Sequence, residues 1–376
     1  MERKKIIVAM SGGVDSSVAA FLLKEQGYDV VGVTLRLWSE ETSDGTERNN
    51  RCCSVEDVDD ARRVCHEVGI PHYFINAEKQ FQQHVVNYFL DEYNSGRTPH
   101  PCLACNDKIK FDYLLRRAMF LDADYIATGH YARIREHDGI FKLLTGTDGG
   151  KDQSYVLFTL KQEELKRLKF PVGEYPKSEI RDIAAKAGLP VADKPDSQEI
   201  CFIPSGNYRE FVQDRIVPKP GNLVDSAGNI LGEHPGIQFF TIGQRRKLGV
   251  NANDGNPRYV VDIDATDNVV TLGPESELFA KHFRANKVSF TKNYPDELLL
   301  EVKAKIRYKS SQEPANVIVR ENEVFVEFSE PQRAITPGQP VVFYHGEELM
   351  GGGIIEKRLD ETEFLDTTSQ PVSIKA

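Results

Sequence analysis

The sequence Ile6-Ile7-Val8-Ala9-Met10-Ser11-Gly12-Gly13-Val14-Asp15-Ser16-Ser17 decides the fold of the N-terminal part of the chain. Its apolar run has no polar alternation and therefore predicts a buried strand of a parallel sheet. Two glycines end the run, and Val18-Ala19-Ala20-Phe21-Leu22-Leu23 predicts a helix. A glycine-rich turn between strand and helix lets backbone N–H groups converge on an anion. The stretch therefore predicts a phosphate-binding loop.

The spacing within this loop excludes two common nucleotide-binding motifs, since it is neither G-x-x-x-x-G-K-[ST] nor G-x-G-x-x-G. The pattern Ser-Gly-Gly-x-Asp-Ser instead resembles the pyrophosphate loop of the ATP pyrophosphatases. Those enzymes split ATP into AMP and pyrophosphate while they adenylate a substrate. The alternative interpretation is a plain strand-to-helix turn with a serine N-cap.

Three further apolar runs alternate with helical patterns in the first 130 residues, namely Val30–Leu35, His72–Asn76 and Asp124–Thr128. The repeated strand–helix order predicts a parallel sheet covered by helices on both faces. Ligands of such sheets bind at the carboxyl ends of the strands. We therefore expect the loops after Met10 and Thr128 to meet the end of the Leu35 strand over one ligand. The predicted helices are 54–68, 78–93, 106–120, 161–168 and 178–186, with an edge hairpin near 140–144.

Length and composition indicate a globular protein of two or three domains. The chain has 376 residues, of which 40% are hydrophobic and 28% are charged. No apolar run is long enough for a membrane span, and no signal-peptide pattern opens the chain, so we expect a cytoplasmic protein without a membrane partner. The formal net charge of −10 argues against nucleic acid only weakly, because polyanion binding needs a local basic surface. Three basic clusters are either such surfaces or solvated faces: Arg245-Arg246-Lys247, Lys303/Lys305/Arg307/Lys309 and Arg116-Arg117.

The predicted fold class is α/β with three domains. Residues 1–206 form the parallel-sheet catalytic domain, and residues 207–284 form a small central α+β domain with a hairpin near 259–272. Short strands separated by turn sequences predict a C-terminal antiparallel β-barrel over 285–358. The polar tail 359–376 is predicted to be disordered.

Two of the six cysteines are candidates for chemistry. Cys105 is predicted at the N-terminus of a helix, where the helix dipole lowers a thiol pKa and favours the thiolate. Cys201 lies on a proline-rich loop, which is an unusual place for a packing cysteine. Both could still be structural. Cys65 lies on the apolar side of a helical pattern and is predicted to belong to the core.

The alternative interpretation is that the cysteines are metal ligands. Cys102-x-x-Cys105 is half of a zinc site, but the adjacent pair Cys52-Cys53 is a poor second half. An iron–sulfur cluster on Cys102, Cys105 and Cys201 is chemically reasonable, because thiolates suit it.

Further motifs follow one another in a single order along the chain, and this order carries a resemblance. Together with the Ser11–Ser16 loop they resemble the tRNA-specific 2-thiouridylases, sulfurtransferases that install sulfur at the 2-position of the wobble uridine. The resemblance extends from about Lys4 to Glu356. The motifs are Cys105-Asn106-x-x-Ile109-Lys110-Phe111, Thr128-Gly129-His130-Tyr131-Ala132-Arg133, Lys151-Asp152-Gln153-Ser154-Tyr155, Cys201-Phe202-Ile203, Phe240-Thr241-Ile242-Gly243-Gln244-Arg245 and Gly351-Gly352-Gly353-Ile354-Ile355.

The resemblance implies a two-stage reaction. ATP adenylates the uridine 2-oxygen, and a persulfide sulfur that a donor protein supplies then replaces that oxygen. It implies that Cys105 is the nucleophile and that Cys201 carries the persulfide, with a disulfide left between them. We expect Asp15 to help position Mg²⁺, which normally accompanies ATP. The implied ATP-binding residues are Ala9, Met10, Ser11, Gly12, Gly13, Val14, Asp15, Ser16, Leu35 and Gly129.

The resemblance also implies contacts to the anticodon loop of tRNA, whose unpaired bases leave their stack readily. The target base would meet His100, Pro101 and Cys102. The other implied tRNA contacts are His130, Lys151, Asp152, Gln153, Arg307, Tyr308 and Gln339. Many family members have Asn-Pro-Asp or Asn-Pro-Cys where this chain has His100-Pro101-Cys102, so the extra thiol leaves the cluster alternative open. The remaining alternatives are an ATP pyrophosphatase that forms amide or C–N bonds on a small molecule and a non-enzymatic ATP-binding RNA-interaction protein.

Overall fold

The computed structural model describes residues 3–38, 40–41, 47–48, 55–196, 200–203, 206–250, 257–294, 299–320 and 322–368. Cys52, Cys53 and the predicted helix start at Ser54 lie outside these ranges. The chain divides into two compact units. The first contains Met1–Val86, Pro101–Asn207 and Glu347–Leu349. The second contains Asn87–His100, Tyr208–Gly346 and Met350–Ala376. The three predicted domain boundaries stay predictions.

The first unit is built on a five-stranded sheet whose pairings are all parallel, as the sequence predicts. Lys5–Ala9 lies at its centre, because this strand pairs on one side with Asp29–Arg36 and on the other with Tyr125–Ala127. The fifth strand is Leu168–Lys169, where the sequence pattern predicts the end of a helix; only Gln162–Leu165 is helical there. The strand order is His72–Asn76, Asp29–Arg36, Lys5–Ala9, Tyr125–Ala127, Leu168–Lys169.

Helices cover this sheet and bury its apolar residues. Ile6 and Val8 of the central strand are fully buried with Val18 and Ala19 of the first helix. Cys65 belongs to the same core, as predicted, and burial raises the pKa of its thiol to about 11. The α-helices of the first unit are Val14–Glu25, Val55–Val68, Glu78–Phe81, Pro101–Ala104, Leu114–Phe120, Gln162–Leu165 and Lys177–Lys186. The π-helix Gln82–Val86 follows Glu78–Phe81, and the π-helix Cys105–Tyr113 follows Pro101–Ala104. The 3-10 helices are Ser154–Leu157 and Pro171–Glu174.

An antiparallel hairpin completes the first unit, as the sequence predicts. Ala132–His137 pairs with Ile140–Thr145, and Glu348 and Leu349 pair along the second of these strands. Two-residue strands at Glu40–Glu41 and Glu47–Arg48 form a separate antiparallel pair.

The second unit contains a four-stranded sheet and a six-stranded barrel. The predicted hairpin near 259–272 is confirmed by the antiparallel pairing of Tyr259–Asp264 with Val269–Gly273. The order of the small sheet is Ile230–His234, Gly221–Asp225, Val269–Gly273, Tyr259–Asp264. The predicted barrel is confirmed too, because the sheet closes on itself. Its strand Phe279–Phe290 pairs with both Glu323–Arg333 and Glu348–Leu359. The barrel order is Phe279–Phe290, Glu323–Arg333, Glu313–Arg320, Leu299–Lys305, Pro340–His345, Glu348–Leu359. The helices of this unit are Asn87–Asn94, Tyr208–Gln213, the 3-10 helices Ile237–Phe239 and Glu275–Leu278, and Glu361–Thr368.

The prediction of disorder from residue 359 onwards is wrong for Glu361–Thr368, which is a helix. Asp360 starts the helix, because its carboxylate accepts a hydrogen bond from the Glu363 N–H at 2.7 Å. Phe364 is buried against Phe325 and Leu359 and stacks on the ring of His282 at 4.5 Å. One buried aromatic therefore anchors a segment whose composition is polar, and composition alone did not reveal it. Residues 369–376 lie outside the described ranges.

The helices that the structure describes include none with the length and hydropathy of a membrane span.

Candidate active site

The predicted phosphate loop lies between the central strand and the first helix of the first unit. The helix begins at Val14, and Gly13 precedes it in an extended conformation without a side-chain cap. The Ser16 hydroxyl accepts a hydrogen bond from the Ser11 N–H at 3.2 Å and donates to the Gly13 carbonyl at 3.2 Å. The serine hydroxyls therefore hold the loop in shape, and no serine acts as the N-cap.

Gly12 is the residue that the loop conformation depends on most. Its φ of +74° is in the left-handed region. A Cβ at this position would lie 2.2 Å from the backbone oxygen of Asp57, in the Val55–Val68 helix. The loop therefore packs directly on that helix, and only glycine permits the close approach.

The two remaining predicted ATP residues lie at the carboxyl ends of the two strands that flank the central strand. Leu35 is the second-last residue of the Asp29–Arg36 strand and is buried. Gly129 follows the Tyr125–Ala127 strand, and a Cβ there would lie 2.7 Å from the backbone of Asp15. The structure therefore brings Gly129 against the start of the first helix, as expected for loops at one edge of a parallel sheet.

Asp15 is held by two groups that sequence analysis did not connect with it. The Lys177 ammonium lies 2.7 and 2.9 Å from the two carboxylate oxygens. The Tyr131 hydroxyl donates a hydrogen bond to one of them at 2.7 Å. Burial and this hydrogen bond raise the pKa of Tyr131, so the phenol stays protonated and remains a donor. Lys177 is an isolated lysine after a proline, and nothing in its local sequence marks it.

This arrangement bears on the predicted magnesium role of Asp15. Both of its oxygens already contact Lys177, so the carboxylate does not offer the open ligand position that Mg²⁺ requires. Among the described residues, no group of three or more His, Cys, Asp and Glu side chains could hold a metal ion. The three cysteines of the cluster alternative, Cys102, Cys105 and Cys201, form no such group.

Asp196 is the centre of a second charged group. Its carboxylate contacts Lys151 and Lys177 at 2.8 Å each and Arg181 at 3.0 Å. Burial raises the pKa of Asp196, but the hydrogen bonds from Lys151 and Lys177 outweigh this effect and lower it to about 2. Lys177 therefore joins Asp15 of the phosphate loop to Asp196, five positions before Cys201.

Lys194 makes a further connection to the phosphate loop. Its ammonium donates to the carbonyl of Gly12 at 3.0 Å and contacts Asp57 and Asp60 at 2.6 Å each. Burial lowers the pKa of Lys194, while the two carboxylates raise it above its ordinary value. Lys194 therefore stays charged and ties the loop to the Val55–Val68 helix.

The helix that carries the predicted nucleophile begins earlier than its sequence indicates. It starts at Pro101, continues as a π-helix over Cys105–Tyr113 and ends as an α-helix at Phe120. Proline suits the first helical position, because it has no N–H to leave unsatisfied there. Cys105 is therefore buried in the second turn, and its predicted place at the N-terminus is wrong. Cys102 occupies the first turn instead.

Cys102 is exposed, yet its thiol is not activated. Desolvation by the surrounding protein atoms and the electrostatic interaction with Cys201 raise the pKa of Cys102 to about 11, and Lys110 only partly offsets these two effects. Cys102 therefore stays a protonated thiol at neutral pH. Cys201 belongs to the same compact unit as this helix.

A buried neighbour anchors the Cys201 segment. The ring of Phe202 is fully buried, with its centroid 5.7 Å from that of Phe81 and 6.4 Å from that of Trp38. The Ile203 N–H donates to the Ile200 carbonyl at 3.0 Å and closes a turn around Cys201 and Phe202. The two predicted catalytic cysteines thus belong to one unit, together with the phosphate loop.

The predicted tRNA residues of the first unit are mostly occupied by internal contacts. His130 is buried, its ring bonds to the Thr128 hydroxyl at 2.6 Å, and burial holds its pKa well below the ordinary value. Its side chain is therefore not accessible to tRNA in this conformation. Asp152 accepts hydrogen bonds from Gly146 and Ser154, and Gln153 accepts one from Tyr131.

The other predicted target-base and tRNA residues belong to the second unit, apart from Pro101 and Cys102. Burial lowers the pKa of His100 to about 4, so its imidazole is neutral at pH 7. Gln339 donates to the carbonyls of Thr98 and Pro99 at 2.9 and 3.1 Å and so braces the segment before His100. Arg307 donates to the carbonyls of Arg333 and Ala334. Tyr308, next to it, is half-buried.

Three family models match the chain in succession. The tRNA methyl transferase HUP domain matches residues 4–205, the tRNA methyl transferase PRC-barrel domain matches 209–274, and the Aminomethyltransferase beta-barrel domain matches 280–355. Together they extend over both compact units.

Full-length relatives identify the family more closely than the single domains do. The chain is 51% identical over 364 residues to the "tRNA-specific 2-thiouridylase MnmA" of Carboxydothermus hydrogenoformans, covering 95% of this chain and 99% of the relative. It is 49% identical over 362 residues to the protein of the same name from Clostridium perfringens, covering 96% and 100%. A solved 4-thiouridine synthetase–RNA complex with bound ATP is 19% identical, with a TM-score of 0.35 over 56% of this chain and 50% of that one, and is too distant to support an argument. On the evidence of its full-length relatives, the chain belongs to the tRNA-specific 2-thiouridylase family.

Proposed function

We propose that this chain is an ATP-dependent sulfurtransferase that converts the wobble uridine of tRNA into 2-thiouridine. The observation that carries the proposal is that Cys105 and Cys201 belong to the same compact unit as the phosphate loop. The residues proposed for ATP binding and those proposed for sulfur transfer therefore lie in one compact unit. The names of the full-length relatives support tRNA as the substrate.

The first stage of the proposed reaction is adenylation. The uridine 2-oxygen attacks the α-phosphorus of ATP, the bond to the pyrophosphate breaks, N3 releases its proton to solvent, and an O-adenylated uridine forms. The loop from Ala9 to Ser16 binds the phosphates through its backbone N–H groups. Lys177 adds a positive charge at Asp15, where the phosphates would compete with the carboxylate for the ammonium. Mg²⁺ bound to ATP would neutralise part of the charge of the phosphates.

The second stage is sulfur transfer. The terminal sulfur of a Cys201 persulfide attacks C2 of the uridine, and AMP leaves with the former 2-oxygen. The Cys105 thiolate then attacks Sγ of Cys201, so the sulfur–sulfur bond breaks and the sulfur stays on C2. A Cys105–Cys201 disulfide results, and a thiol reductant must supply two electrons before the next turnover. A cytoplasmic location and a persulfide-carrying donor protein belong to this proposal.

The proposal is tested by incubating the full chain with an unmodified tRNA, ATP, Mg²⁺ and a persulfide source. Mass spectrometry of the tRNA nucleosides should detect 2-thiouridine, with AMP released in equal amount. AMP release without 2-thiouridine, but with an amide formed on a small-molecule acceptor, would contradict the proposal. Iron content after anaerobic purification tests the cluster alternative, because a stoichiometric cluster that activity requires would replace the persulfide route.

Lys194→Met should weaken ATP binding by removing the ammonium that holds the Gly12 carbonyl. Charge-assisted hydrogen bonds contribute about 1.5–3 kcal/mol, so KM for ATP should rise roughly ten- to hundredfold in an AMP-release assay. Arg63→Met is the matched control, because Arg63 also contacts Asp60 but makes no hydrogen bond to Gly12. Equal KM values for the two variants would show that the contact with Gly12 is unimportant.

A further inference from the structure

One charged surface of the second unit has no part in the proposed reaction. We define the basic loop as Arg245-Arg246-Lys247, three consecutive cations in a chain with 57 acidic and 47 basic residues. All three residues are exposed. Within the ranges that the structure describes, none of the three side chains has a carboxylate at ion-pair distance or another hydrogen-bond partner.

Exposed arginines elsewhere in the chain differ in this respect. Arg62 contacts Asp59 at 3.1 Å, Arg116 contacts Asp112 at 2.5 Å and Arg135 contacts Glu174 at 2.5 Å. A carboxylate next to a cation cancels most of its field at a distance. The positive electrostatic field of the basic loop is not cancelled in this way. An uncancelled positive field is the electrostatic condition for binding a polyanion.

The backbone of the basic loop is fixed by hydrogen bonds. The Gly243 N–H donates to the Val260 carbonyl at 2.8 Å, and the Val260 N–H donates to the Gln244 carbonyl at 2.9 Å. The Gln244 side chain donates to the carbonyl of Arg246 at 3.0 Å and accepts from the Thr241 N–H at 3.2 Å. The three cations are therefore presented from a rigid support, so little backbone entropy is lost when a ligand binds.

Lys247 has a backbone conformation that glycine would adopt more easily. Its φ is +59°, and a non-glycine residue in this region costs about 1 kcal/mol or more. Lys247 also lines a recess together with Arg209, and Glu233 is the one acidic residue in the lining. Arg209 itself donates to the Phe239 carbonyl at 2.7 Å and adds positive charge beside the loop.

Two of the tRNA contacts that the family resemblance implies for the second unit use their donors internally. The amide of Gln339 donates to Thr98 and Pro99, and the guanidinium of Arg307 donates to Arg333 and Ala334. Their capacity to hold phosphates is reduced accordingly. Among the described residues, the three side chains of the basic loop make no such internal hydrogen bonds.

We propose that the basic loop binds the phosphate backbone of the tRNA substrate. The inference rests on the proposed function, because it takes tRNA as the polyanion. Arginine guanidinium groups pair with phosphate oxygens in a bidentate manner, and a lysine adds a point charge. Contacts to phosphates position the nucleic acid and do not read its sequence. The loop should therefore contribute affinity for all substrate tRNAs alike.

The test replaces all three cations of the basic loop by glutamine in the full chain. The dissociation constant for an unmodified tRNA transcript with a wobble uridine is then measured at several salt concentrations. Each lost phosphate contact lowers the slope of log K against log salt by about 0.7–0.9. We expect a slope reduced by roughly 2 and an affinity reduced at least roughly tenfold at ~0.1 M salt. The thermal midpoint should not change, since the side chains are exposed.

The matched control replaces Arg62, Arg116 and Arg135 by glutamine, which removes the same amount of charge from paired positions. The slope of log K against log salt of this control should differ from that of the wild type by less than about 0.9, the value of one phosphate contact. An unchanged affinity and slope in the basic-loop variant would overturn the inference, while wild-type 2-thiouridine formation would leave the proposed function intact. If tRNA binding is unchanged but sulfur transfer from a protein donor falls and transfer from a small-molecule persulfide does not, the loop binds the donor and the inference is wrong.

Discussion

Cys105→Ser is expected to abolish 2-thiouridine formation, with a loss of roughly a thousandfold or more, as for other enzymes without their nucleophile. Serine has the shape of cysteine but cannot attack the Cys201 persulfide at neutral pH. The phosphate loop is untouched, so one equivalent of AMP should still form for each enzyme. The uridine would then stay attached to Cys201 through two sulfur atoms. Mass spectrometry of the intact enzyme–tRNA mixture, without reductant, should detect this adduct.

Cys102→Ser is the matched control for this prediction. Cys102 lies on the same helix three residues earlier, and its pKa of about 11 keeps it protonated at neutral pH. A protonated thiol is a poor nucleophile, so this variant should keep most of its thiolation rate. Wild-type activity of Cys105→Ser together with an inactive Cys102→Ser would exchange the roles of the two cysteines and contradict the assignment.

Gly12→Ala is expected to abolish ATP-dependent activity while the chain still folds. The new Cβ would lie 2.2 Å from the backbone oxygen of Asp57, at a left-handed φ of +74°. Because a helix backbone cannot yield to this contact, the loop must move, and its N–H groups no longer converge on the phosphates. We expect AMP release to fall by roughly a hundredfold or more, the scale on which small displacements of positioning groups act. Calorimetry with ATP should show the loss of binding directly.

Gly27→Ala separates this clash from backbone strain. Gly27 has a φ of +86°, and a Cβ there would have no heavy atom within 4 Å. The variant carries the same kind of left-handed strain and should lose about 1 kcal/mol of stability, with an unchanged KM for ATP. If both variants lose ATP binding to the same degree, backbone strain at the two ends of the first helix, and not the contact with Asp57, is responsible.

The parts of the fold that follow local rules were predictable from sequence. The central strand is apolar throughout, and the parallel sheet around it follows from the alternation of strands and helices. The barrel follows from short strands separated by turn sequences. These features depend on residues close together in the chain, which a pattern can record.

The errors come from contacts between residues distant in the chain. The helix of Glu361–Thr368 depends on Phe364 reaching Phe325 and Leu359. The partners of Asp15 are Tyr131 and Lys177, which are 116 and 162 positions away. The early start of the cysteine helix has a different cause, because Pro101 can begin a helix as well as belong to a loop. No periodicity records which of these long-range contacts will form.

The π-helix of Cys105–Tyr113 sets the rotational phase of the cysteine helix. Its hydrogen bonds join residues five apart, as when the Leu114 N–H donates to the Ile109 carbonyl, so each turn holds about one residue more than an α-turn. One residue corresponds to about 100° of rotation in an α-helix. A helical wheel drawn with α-helical spacing therefore misplaces every residue after Cys105. Removing a single residue from this segment would turn the thiol away from the direction in which the rest of the helix now holds it.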